Sequence, residues 1–162
     1  MTRSILALAA CCGIGLLGSW TSAGEKPKKF ENNANETKVF ELTNLERKKK
    51  ELPPLKLNLA LSKIARAHSE NMAKQEKMEH TLDDKSPFDR IRAAGYNFAR
   101  AGENIAFGEK GARLENIMKA WIESEPHAAN ILHTEFTEIG VGVIVAKGGQ
   151  LYFTQVFARP RK

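Results

Sequence analysis

The stretch Ile139–Ala158, IGVGVIVAKGGQLYFTQVFA, decides how this chain folds. Two runs rich in β-branched and aromatic residues, Ile139–Ala146 and Gln150–Ala158, flank Lys147-Gly148-Gly149. Two such runs joined through a glycine turn predict a β-hairpin. Gly140 and Gly142 alternate with valines on the first strand, which marks a place of close backbone packing. No helix follows, so the two glycines are not a phosphate-binding loop.

Towards the N-terminus the apolar period becomes helical. Arg113 to Glu123 reads as a helix with Trp121 as a core anchor in its last turn. Ser86-Pro87 opens a short helix, with a serine cap and a proline at its first position, that closes at Gly95. Asn58 caps a longer helix running to about Gln75, whose buried face carries Leu61, Ile64, Ala65, Ala67, His68 and Met72. Another helix starts near Thr37 with Val39, Phe40, Leu42 and Leu45 on one face. Arg47 to Lys50 load its last turn with charge suited to a helix C-terminus, and Pro53-Pro54 end it. Leu55 to Leu57 are extended. Helices early and strands late predict an α+β domain in which helices cover a small antiparallel sheet.

Residues 24–36, GEKPKKFENNANE, are polar and lack an apolar period, and are expected to form a flexible linker. Ahead of them, Arg3, an uncharged apolar run from Ile5 to Gly18, and small residues at Thr21-Ser22-Ala23 predict a signal peptide over residues 1–23. That run is too short to span a bilayer as a helix. Leu8-Ala9-Ala10-Cys11 offers a second processing route that would leave a lipid on Cys11. The few apolar residues before that cysteine, and the apolar stretch after it, argue for ordinary cleavage.

Cys11 and Cys12 are the two cysteines of the chain. The domain expected over residues 37–162 therefore has no disulfide and no thiolate, and its stability must come from its core. About 125 residues are enough for one such core. The net charge of +6 is spread over Lys26 to Lys29, Arg47 to Lys50 and Arg159 to Lys162. It reads as solvated surface charge, or as adhesion to anionic envelope material. No motif or aromatic row accompanies it to indicate nucleic-acid binding.

Histidine is the first residue type to inspect for acid–base or metal chemistry near neutral pH. His68 lies in phase with Ile64, Ala65 and Met72 and reads as structural. His133 follows Ile131-Leu132 and reads as a surface residue. His80, after Met78-Glu79, and His127, after Ser124-Glu125-Pro126, sit where helices have run out. Glu103 lies in Ala-Gly-Glu-Asn-Ile-Ala, where a partly desolvated carboxylate would want a cationic or hydrogen-bonding partner. Spacing alone does not bring these three together. Ser124 is three residues from His127 with a proline between, and nothing in the spacing positions a serine–histidine pair. Asn104 and Asn130 are expected to satisfy loop backbone groups.

The succession LNLALSKIARAHSENMA, MEHT, GENIA, WIESEPHAANIL, FTEIGVGV and YFTQVFA resembles the CAP superfamily (cysteine-rich secretory proteins, antigen 5 and pathogenesis-related proteins) in its bacterial SCP-like form. The resemblance runs from about Thr37 to Ala158, with the motifs in the family's order. It implies a three-layer α–β–α sandwich with a wide open cleft holding two histidines and two acidic residues. Position by position, His80 matches the first histidine, Glu103 the first glutamate and His127 the second histidine. The second glutamate's place is taken by Ser124. Glu123 and Glu125 flank it, but side-chain direction on a helix makes neighbours poor substitutes. Gln155 on the last strand is expected to face the cleft.

The resemblance further implies an exported monomer, secreted or held in the periplasm or cell envelope, with no transmembrane helix after processing. Two functions follow as expectations. The first is a binding module whose cleft takes an extracellular lipid, polysaccharide or protein. The second is a metal-dependent hydrolase, with His80, His127 and Glu103 around a divalent metal such as zinc and one position left open. With no nucleophile in evidence, binding is favoured over hydrolysis.

Overall fold

The computed structural model describes residues 29–161. The signal peptide, the Cys11 alternative and the first part of the linker lie outside them. In chain order the elements are α1 (Ala34–Lys49), β1 (Lys56–Leu57), α2 (Leu59–Gln75), α3 (Pro87–Ala93), β2 (Phe98–Gly108), α4 (Leu114–Glu123), α5 (Glu125–Ile131), β3 (Glu138–Val145) and β4 (Leu151–Pro160). The predicted hairpin is β3 and β4, paired antiparallel with Gly142 opposite Thr154. β2 pairs antiparallel along the other side of β4, and β1 joins β3 in parallel, giving the order β1-β3-β4-β2.

Strand alternation then sorts the sheet into two faces. Val141, Val143, Phe153 and Phe157 share a core with Val39 of α1, Met118 and Trp121 of α4 and Ile131 of α5. On the opposite face Val156 and Ala158 pack with Leu61, Ile64 and Ala65 of α2 and Ile91 of α3. The result is the three-layer α–β–α sandwich. The two strand glycines explain how α2 sits so close. A Cβ on Gly140 would lie 2.1 Å from the Leu61 carbonyl carbon, and one on Gly142 would lie 2.2 Å from the Arg66 nitrogen. Ser62 Oγ accepts from Val141 N at 3.2 Å across the same contact.

Several boundaries differ from the sequence reading. α1 begins at Ala34, within the stretch expected to be linker, because Asn33 and Glu36 form a capping box. Glu36 is fully buried and pairs with the Arg66 guanidinium, while its Oε1 also accepts from Val143 N at 3.2 Å. This anchors the start of α1 to α2 and to the sheet. The inward stripe of α1 runs through Val39, Leu42, Thr43 and Arg47, so Leu45 is left 47% exposed. Arg47 is no solvated end charge. It is buried, donates to the carbonyls of Pro53, Ile131 and His133 at 2.9 Å each, and has its pKa lowered by burial. Ala67 faces solvent rather than the core. Neither β2 nor α5 was expected as an element.

Candidate functional site

One edge strand of the sheet is β2, and it carries Glu103 and Asn104 in consecutive positions. Consecutive strand residues point to opposite faces, so these two side chains enter different layers. Glu103 pairs in register with Val156 and points into the α2–α3 layer, whereas Asn104 is opposite Gln155 and points into the α1–α5 layer. The chain passes from one histidine to the other around this edge.

Glu103 is the hub of the first half. Its side chain is 2% exposed. Oε1 lies 2.9 Å from His80 Nδ1, and Oε2 accepts from Arg90 Nη2 at 2.7 Å. Arg90 comes from α3 and uses its Nη1 to hold the carbonyls of His80 at 2.9 Å and Lys85 at 2.8 Å. One guanidinium therefore neutralises the carboxylate and fixes the backbone of the histidine that bonds to it. His80 is 49% exposed on its side chain and stands at the mouth. His68, on α2, lies behind. Its Nε2 is 3.1 Å from the Glu79 carbonyl and 3.9 Å from Glu103 Oε1. Burial lowers its pKa, against the pull of Glu103.

The second half is built on α5. Ser124 ends α4 and caps α5, with Pro126 in the first turn. The helix restart puts residues 124 and 127 on one side of a turn, and Ser124 Oγ lies 2.8 Å from His127 Nδ1. A serine–histidine contact thus exists that the spacing had not suggested, because a proline in the first turn starts a helix rather than preventing one. Asn104 Nδ2 donates to the His127 carbonyl and to Gln155 Oε1, both at 3.1 Å. Asn130 Nδ2 donates to the Glu103 carbonyl at 3.2 Å and to Asn104 Oδ1 at 2.9 Å. Gln155 Nε2 completes the network on Thr43 Oγ1 at 2.7 Å. Burial lowers the His127 pKa, and the charge of His80 lowers it further.

His80, Glu103 and Arg90 are in contact, and His127 is tied to the same strand through Asn104 and Asn130. Gln155 is fully buried beneath the site rather than facing the cleft, because its strand position points into the α1 layer. His133 is half-buried, with its ring 4.7 Å from Phe136 and its Nδ1 accepting from Glu135 N at 3.1 Å. Glu123 and Glu125 are exposed, and neither forms an ion pair with His80 or His127 among the described residues. Asn104 and Asn130 do satisfy backbone groups, but from a strand and a helix. Arg90 was missed: the buried carboxylate advertised the need for a cation, and nothing in SPFDRIRAAG singled out its donor.

Among the described residues, no three His, Cys, Asp or Glu side chains gather as a metal-holding group. Both oxygens of Glu103 are engaged, one of them by a guanidinium. His80, His127 and Glu103 as arranged do not fit a three-ligand metal centre.

The family model described as the cysteine-rich secretory protein family, CAP, matches residues 40–157. The protein YkwD of Bacillus subtilis is 42% identical over 128 residues, which is 78% of this chain and 48% of YkwD. A solved extracellular protein containing a SCP domain, from Bacillus anthracis, is 31% identical with a TM-score of 0.69, covering 77% of this chain and 40% of that one. An outer surface protein of Borrelia burgdorferi has a TM-score of 0.74 at 22% identity, over 83% of this chain and 98% of its own, which shows the fold alone. The chain spans about half the length of YkwD.

Proposed function

This chain belongs to the cysteine-rich secretory protein (CAP) family, and on that premise we infer that it is an exported binding module. Its ligand is an extracellular lipid, polysaccharide or protein taken up at the β2 edge, with His80, Glu103 and His127 as contact or positioning groups. The signal-peptide pattern over residues 1–23 supports export, as does the extracellular SCP protein of Bacillus anthracis. Among the described residues no helix is long and apolar enough to cross a membrane.

One observation carries the choice of binding over catalysis: Glu103 has both oxygens committed to His80 and Arg90. A carboxylate bonded at both oxygens, one of them by a guanidinium, serves as a structural hub. It holds an exposed imidazole in one orientation, with both of its oxygens engaged in that task. His80 is then a fixed donor or acceptor at the mouth, with Nε2 directed away from the carboxylate-bound Nδ1.

The Ser124–His127 contact favours a second reading, ester or amide hydrolysis with Ser124 as nucleophile. The rest of such a machine is not assembled around it. No described carboxylate pairs with His127 to orient it, and Pro126 removes a backbone N–H from the first turn of α5, where an oxyanion would need donors. Activity on p-nitrophenyl acetate that disappears in Ser124→Ala would establish this second reading. Binding to envelope material that disappears in His80→Ala and His127→Ala, with Ser124→Ala unaffected, is the outcome expected here.

A further inference from the structure

The buried carboxylate of the β2 edge sets the hydrogen-bonding character of the histidine at its mouth. A carboxylate only accepts hydrogen bonds, and Glu103 Oε1 lies 2.9 Å from His80 Nδ1. In the uncharged ring the proton therefore sits on Nδ1, and Nε2 carries a lone pair. Arg90 Nη2, 2.7 Å from Oε2, already supplies the countercharge of Glu103. An uncharged His80 thus leaves the Glu103–Arg90–His80 cluster without net charge.

The ring is also held from behind. Arg90 Nη1 donates to the His80 carbonyl at 2.9 Å, and buried His68 has its Nε2 3.1 Å from the Glu79 carbonyl. Two side chains from different helices pin consecutive carbonyls, while the His80 side chain stays 49% exposed. His127 has its Nδ1 2.8 Å from Ser124 Oγ, a hydroxyl that can give or take a proton. Its Nε2 can therefore present either character. Among the described residues, Nε2 of His80 and Nε2 of His127 have no hydrogen-bond partner, and each ring is close enough to feel the other's charge.

A fixed acceptor beside an adaptable group sorts ligands by chemistry. An alkyl chain would leave the His80 lone pair unsatisfied. A carboxylate or phosphate oxygen would set one acceptor against another. A ligand ammonium could donate to Nε2, but the chain itself carries a net charge of +6 and repels cations. A hydroxyl donates to His80 and can give to or take from His127, and it carries no charge.

Building on the binding role inferred above for this edge, we propose that its ligand is an uncharged, hydroxyl-rich glycan. One hydroxyl donates to His80 Nε2, and a neighbouring one bonds to His127 Nε2.

The test is calorimetric titration of the purified protein at pH 7.5 with chitohexaose, cellohexaose and maltohexaose. These uncharged hexamers differ in linkage and in the group on C2. Saturable binding of at least one is expected, weakened at least about tenfold by His80→Ala and by His127→Ala. The O-methylated form of the bound hexamer keeps its oxygens but cannot donate, and should bind the wild-type protein at least about tenfold less tightly. In His80→Ala the free and methylated hexamers should differ by less than about threefold, since the acceptor that tells them apart is gone. Absence of binding by all three hexamers would overturn the proposal, as would equal wild-type affinity for the methylated form or full binding by the folded His80→Ala variant. Histidine-dependent retention on peptidoglycan sacculi with no hexamer bound would overturn it in favour of the peptide stems, and such retention on phosphatidylglycerol vesicles in favour of a lipid; both would leave the binding role intact. Failure of the hexamers, sacculi and vesicles alike would remove the binding role as well.

Discussion

Arg90 Nη2 lies 2.7 Å from Glu103 Oε2, and the other arm of the same guanidinium holds the His80 carbonyl at 2.9 Å. The pair makes α3 part of the site, although α3 contributes no residue to the family's motif set. Removing the cation leaves a buried carboxylate with Oε2 unpaired and only His80 on Oε1. Arg90→Met should therefore destabilise the domain by about 3 kcal/mol, the size typical of breaking one side of a buried pair. Glu103→Gln in the Arg90→Met background should restore part of that loss. Urea unfolding of the two single variants and the double variant measures it as a coupling energy.

The helix–sheet contact gives a sharper structural prediction. Gly140→Ala places a methyl 2.1 Å from backbone of α2, and backbone cannot step aside as a side chain can. The variant should lose about 3 kcal/mol or fail to accumulate as folded protein. A Cβ at Gly148 meets only the Gln150 side chain, so Gly148→Ala should cost well under about 1 kcal/mol. Thermal melts of the two variants side by side decide this.

Histidines whose pKa is shifted by burial make stability depend on pH. Burial lowers the pKa of both His68 and His127 below the ordinary histidine value of 6.5. Between the lowered folded value and the unfolded one, the unfolded chain binds more protons than the native domain. Stability therefore rises with pH through that window and is lost as pH falls below about 6.5. The urea midpoint should drop between pH 7.5 and 5.5, and His68→Gln should flatten the profile. A midpoint that stays level, or climbs on acidification, would contradict the burial seen for these two rings.

The α+β class was legible because the hairpin and the α2 pattern are strong local signals, whereas the three-layer order was implied by the CAP resemblance. In α2 the apolar period survives despite His68, Ser62 and Ser69 facing inward, since each finds a bond or a burial partner there. β2 was illegible for a physical reason. FARAGENIAFG alternates poorly, and it is held as a strand by β4 on one side and by side chains on the other. Trp121 Nε1 donates to the Ile105 carbonyl at 3.0 Å, and Asn130 covers that of Glu103. Such support comes from residues far along the chain, and a local period cannot reveal it. The same holds for Arg47, whose charge suggested solvent while its partners lay elsewhere in the fold, and for Arg90, which no local pattern singled out.

Glu36 illustrates the same limit at the start of α1. A polar run suggested linker, yet the carboxylate is fully buried between Arg66 and the sheet. Arg66→Ala should destabilise the domain by about 3 kcal/mol, since it strands that carboxylate. It should also raise hydrogen exchange in the first turn of α1 more than in α4. Equal exchange in the two helices would mean that the pair does not anchor the N-terminal segment.

Binding through the histidines of the β2 edge and binding through net charge differ in their response to salt. Co-sedimentation with purified peptidoglycan sacculi and with phosphatidylglycerol vesicles, at 150 and 500 mM NaCl, compares the wild-type protein with the His80→Ala, His127→Ala double variant. With the histidines in contact with the ligand, retention on one of these materials should survive the higher salt, where exposed charges are screened, and be lost in the variant. Retention that vanishes at 500 mM NaCl, or that the folded variant keeps in full, would contradict it.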